Sequence, residues 1–122
     1  MRVVVSLLAL TIVSQANAQP ISQSMAQCSG LTRALSDHVS TPSRLAKIRH
    51  FQSVWTNAAL EQAESEGQSN PVNWVQGHET AMYETWASRG ALAMLRSPEM
   101  KDWQDYCGSL ARSRGLSQKM QS

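Results

Sequence analysis

Cysteine is scarce in this chain of 122 residues, and its two copies, Cys28 and Cys107, stand far apart. Neither belongs to a CxxC or a CxxCH, which excludes a thioredoxin-like redox site and covalent haem attachment. There is no GxSxG, so the usual serine-nucleophile turn is absent, and no glycine-rich loop of the kind that cradles phosphates. Asn-x-Ser/Thr acceptors, internal repeats and low-complexity tracts are missing as well. No stretch alternates apolar and polar residues with a period of two, which removes the main signal for a half-buried strand. Charge of either sign is also sparse. Eleven basic and nine acidic side chains leave a net of +2, too little for a protein that holds nucleic acid by its phosphates.

The start of the chain carries a different pattern. Arg2 precedes an apolar run from Val3 to Val13, followed by Ala16-Asn17-Ala18. A basic start, a short apolar core and a small-x-small site predict a secretory signal peptide over residues 1–18. The run is too short to span a bilayer, which takes roughly 20 residues, so no stable membrane insertion is expected after cleavage. The remaining single domain, 19–122, is then secreted or periplasmic. Met25-Ala26-Gln27 before Cys28 is not the small-residue pattern of a lipid anchor.

Export places Cys28 and Cys107 in an oxidising space, and one disulfide between them is expected. Closing so long a loop stabilises a fold by up to about 4.5 kcal/mol in a chain-entropy picture.

Three places share one punctuation: Thr41-Pro42, Asn70-Pro71 and Ser97-Pro98. In each, a side chain able to cap a helix precedes a proline suited to the first helical position. They divide the domain into four predicted helices, about 20–39, 42–66, 71–96 and 98–114, with Gly67 and Gly115 as stops. The tail beyond Gly115 is expected to be loose. Each segment carries an apolar stripe at helical spacing, including Met25, Cys28, Leu31 and Leu35 in the first. The third runs Val72, Val75, Met82, Trp86, Ala93, Met94, and the fourth Met100, Trp103, Cys107, Leu110, Ala111. The fold class read from this is all-α: a small four-helix up-down bundle with one disulfide joining the first and last helices. Ser29-Gly30 and Gly108-Ser109 beside the cysteines are small enough to let those two helices approach.

Chemistry-bearing residues are few. His78-Glu79-Thr80-Ala81-Met82 is one ligand short of the zinc-hydrolase motif HExxH, because Met82 stands where the second histidine belongs. Imidazole and thioether one turn apart suit copper better. Glu79 interrupts the stripe of the third segment, so it borders the core or is paired within it, with Arg33, Arg112 or Arg114 as candidate partners. A haem held between a methionine and a histidine does not fit, since Met25 lies in the first segment and the fourth has no histidine. Trp55, Trp74, Trp86 and Trp103 offer an aromatic layer or the wall of a pocket. The second segment has its charges reversed with respect to the helix dipole, with Arg44, Lys47 and Arg49 early and Glu61, Glu64 and Glu66 late.

No catalytic constellation emerges, so the chain reads as a non-enzymatic exported module that binds an as yet unidentified protein or envelope component. The segregated charges of the second segment, Arg44, Lys47, Arg49, Glu61 and Glu64, are its expected partner surface. A small-ligand or copper carrier using His78, Met82 and Glu79 is the second reading. A periplasmic stress chaperone is the third, on size and cysteine count alone.

Overall fold

A computed structural model describes residues 19–122, so the expected signal peptide lies outside the described residues. All regular structure among the described residues is helical. The order is α1 (Ile21–Ser36), α2 (Pro42–Ser65), α3 (Pro71–Ala87), α4 (Ala91–Arg96), α5 (Pro98–Ser113) and α6 (Ser117–Gln121).

Six helices thus stand where four were expected, for two local reasons. Gly90 takes φ +83°, a left-handed value that L-residues avoid, and it breaks the third segment into α3 and α4. The tail beyond Gly115 is not loose. It forms α6, anchored by buried Leu116, by Met120 against the core and by a 2.7 Å bond between His50 Nε2 and the Lys119 carbonyl.

The proline boundaries hold, but the caps are not uniform. The Asn70 side chain accepts from the Asn73 N–H at 3.2 Å and Ser97 Oγ from the Met100 N–H at 3.1 Å. Thr41 makes no such bond; Pro42 opens α2 without side-chain help. Gln68 N–H reaches back to the Ala63 carbonyl and Leu116 N–H to the Ala111 carbonyl, closing α2 and α5 in the Schellman manner.

Helix α1 is the centre of the molecule. It is buried along most of its length, on the sides of Ser22, Ser24 and Ser29 as well as Met25, Cys28 and Leu31. Its broad contacts are with α2 and α3, and it meets α5 only briefly. Ser22 bonds Glu66 while Ser29 bonds Thr56, so α1 and α2 run antiparallel. Ser22 also bonds Trp74, while Gly30 lies against Glu79 and Met82, so α1 and α3 run parallel.

Gly30 does not serve the approach of the first and last long helices, as its place beside Cys28 suggested. It faces α3. A Cβ there would lie 2.2 Å from the Glu79 carbonyl oxygen and 2.9 Å from Met82 Cβ. Contact with α5 is made by the expected disulfide, Cys28–Cys107, with Cα atoms 5.8 Å apart. Within the third stripe, Val72 is exposed rather than buried.

Three buried serines in one helix would be costly if unpaired. Each is satisfied. Ser22 accepts from Trp74 Nε1 at 2.9 Å and donates to Glu66; Ser24 accepts from Gln19 Nε2 at 2.7 Å and from the Tyr106 hydroxyl at 2.9 Å; Ser29 pairs with Thr56 at 2.8 Å. No buried side-chain nitrogen or oxygen lacks a partner among the described residues. No helix among them is long and apolar enough to cross a membrane.

Candidate functional site

The three residues singled out on α3 have separate surroundings. Met82 is 7% exposed and fills the core beside Gly30. His78 is half-buried, its ring edge-on to Trp74 with centroids 4.4 Å apart. Desolvation by that packing holds its pKa below the ordinary histidine value, which favours the neutral ring at pH 7.

Glu79 is half-buried between α2 and α3. One carboxylate oxygen accepts from Gln52 Nε2 and the other from Thr56 Oγ1, both at 3.2 Å. Thr56 continues to Ser29, so a single polar chain links α3, α2 and α1. None of the three arginines expected as partners is used. Arg33 stacks over the Tyr83 ring at 4.0 Å, Arg112 donates to Ser109, and Arg114 lines a cleft with Glu61 and Lys119. Among the described residues no group of three or more His, Cys, Asp or Glu is placed to hold a metal ion.

On α2, Arg44, Lys47, Arg49, Glu61 and Glu64 are all exposed, and none forms an ion pair among the described residues. The basic group lies toward the start of the helix and the acidic group about 25 Å along it, at 1.5 Å per residue. Glu66 has a different role, which the sequence pattern did not reveal. Helix α1 begins after Pro20, which has no side chain able to cap it. The Glu66 carboxylate supplies the cap from the neighbouring helix, accepting the Ser22 N–H at 3.1 Å and the Ser22 hydroxyl. Desolvation opposes the charge there, but the bonds from Ser22, Gln62 and Gln68 together outweigh it and hold the carboxyl below its ordinary pKa. An acidic end on α2 is therefore favourable where it meets the positive end of antiparallel α1.

The tryptophans do not form a layer. Trp55 and Trp86 are buried, Trp74 and Trp103 half-buried, and no two indoles stack among the described residues. Trp103 instead stands at a right angle to Tyr106, with centroids 5.8 Å apart and an interplanar angle of 87°. These two rings, with Glu99, Asp102 and Gln19, line a cleft of about 250 Å3 with largely apolar walls. Another cleft, of about 380 Å3 between α2 and α3, has Glu79 in its wall with Arg49 and Gln76.

Comparison with known protein families, characterised proteins and solved structures finds no match to this chain.

Proposed function

We propose that the protein is a small exported, non-enzymatic module that binds another protein or an envelope component through the exposed charges of α2. The observation that carries this reading is the charge arrangement of that helix. Five exposed side chains without ion-pair partners among the described residues form two groups of opposite sign on one 24-residue rod. Such a face selects a partner of reversed polarity and speeds encounter more than it adds raw affinity. Glu66 explains one acidic residue at that end by capping α1; Glu61 and Glu64 make no side-chain hydrogen bond or ion pair among the described residues. The disulfide supports an oxidising compartment, as the signal-peptide pattern does.

The test is chemical cross-linking of the disulfide-bonded protein to the envelope fraction of its source cells, with Arg44→Glu/Lys47→Glu beside the wild type. A discrete cross-linked partner, lost in the reversed variant and at high salt, is expected. Capture indifferent to both, with the variant folded by circular dichroism, overturns the assignment of the face.

A further inference from the structure

We propose that the cleft formed by Trp103, Tyr106, Asp102 and Glu99 on α5 binds a quaternary ammonium group. The site is separate from the α2 face and does not depend on it. Cations of this class are held where aromatic faces meet near negative charge, because the ring quadrupole attracts the cation while the methyl groups need an apolar wall.

All four side chains come from adjacent turns of one helix. Trp103 and Glu99 are four residues apart, as are Tyr106 and Asp102, so each aromatic ring has a carboxylate one turn before it. The two rings meet edge to face at 87°, not in a parallel stack, and both line the same cleft. Tyr106 is unusual in being fixed and yet available. Its hydroxyl donates to buried Ser24 Oγ at 2.9 Å, while the residue is still 43% exposed. The tether orients the ring without covering it, so ordering on binding costs little.

The charges also differ in availability. Glu99 is paired with Arg89. Asp102 has no ion-pair partner among the described residues and provides the free negative charge. At about 250 Å3 the cleft is smaller than the usual range for drug-sized ligands, about 300–1,000 Å3, and suits a compact head group.

The test is titration of the intact disulfide-bonded protein with choline, followed by the indole signal of Trp103 and the ring signals of Tyr106 in NMR. The neutral isostere 3,3-dimethylbutan-1-ol is the control. Saturable shifts at both residues are expected with choline, and binding about two- to fivefold weaker with the isostere, in line with one cation–aromatic contact at an exposed site. Trp103→Leu and Asp102→Asn should each weaken choline to a similar degree. Asp102 is exposed, so its variant keeps the test open if the tryptophan variant does not fold. Phosphatidylcholine vesicles separate the two sources of the group: co-sedimentation assigns a lipid head, and choline binding without it assigns a free small molecule. Equal binding of choline and the isostere, no saturable shift with choline, or binding unchanged in Asp102→Asn overturns the proposal.

Discussion

Replacing Gly30 by alanine is the sharpest perturbation of this fold. Alanine is favoured over glycine inside a helix by about 0.8–1 kcal/mol, so propensity alone predicts a gain. Packing reverses the sign. The new Cβ would stand 2.2 Å from the Glu79 carbonyl oxygen and 3.1 Å from its carbon. These are backbone atoms of α3, which cannot swing aside as a side chain can. Helices α1 and α3 must separate by about 1 Å, a gap that forfeits a quarter to a half of each dispersion contact across it. Met82, Val75 and Trp86 are among the buried α3 side chains in the shared core. Overpacking costs about 1–3 kcal/mol in general and lies at the upper end when backbone must move. After the propensity gain, a net loss of about 2 kcal/mol remains, which lowers the melting temperature by about 8–16 °C in a domain of this size. Thermal unfolding followed by circular dichroism measures it. Gly77→Ala is the matched control, since nothing lies within 4 Å of the Cβ it would add to α3. That variant should melt at or above the wild type. A Gly30→Ala protein as stable as the wild type would refute the close approach of α1 and α3.

Other outcomes follow from the same contacts. The disulfide closes a separation of 79 residues, so Cys28→Ala/Cys107→Ala should lose about 2–4.5 kcal/mol in denaturant unfolding. Glu66→Ala removes the side-chain cap of α1 and should cost about 1 kcal/mol by the same assay, whereas Glu64→Ala, with no side-chain hydrogen bond among the described residues, should be near neutral. Stability should fall in acid for two groups whose folded pKa is depressed. His78 is held neutral by packing, so its contribution is present above the unfolded histidine value and is lost as pH falls through that range. Glu66 follows at lower pH, its contribution disappearing as the carboxyl is protonated. Melting temperatures at a series of pH values should show both steps, and His78→Gln should remove the upper one.

Most of the secondary structure was legible because its signals are local. Pro42, Pro71 and Pro98 each open a helix as their sequence context indicated, and the paired cysteines lie within bonding reach. Gly90 lies inside a continuing apolar pattern, and only its left-handed φ marks the break. The order of packing was less legible. Gly30 is next but one to Cys28, so its position in the sequence points to the disulfide contact, whereas its small size serves α3. Helix α1 carries no charge before Arg33, a sign of a rod enclosed by its neighbours, but beyond the stripe of Met25, Cys28 and Leu31 its buried surface includes Ser22, Ser24 and Ser29, which a search for apolar stripes passes over. The α3 stripe misled at Val72, which is exposed, and at Glu79, which takes neutral partners on α2 instead of an arginine. The corner of Trp103 and Tyr106 depends on a bond to Ser24 far away in sequence, so no local pattern reveals it.

The central claim is that α1 is the hub to which α2 and α3 pack and α5 is stapled. Native-state hydrogen exchange read by mass spectrometry tests it directly, because exchange through local opening reports how much of the structure must come apart at each amide. Amides from Ser24 to Ala34 should exchange slowest in the molecule, at the rate set by global unfolding, with those of α4 and α6 much faster. Fast exchange through α1 while α5 stays protected would contradict the account.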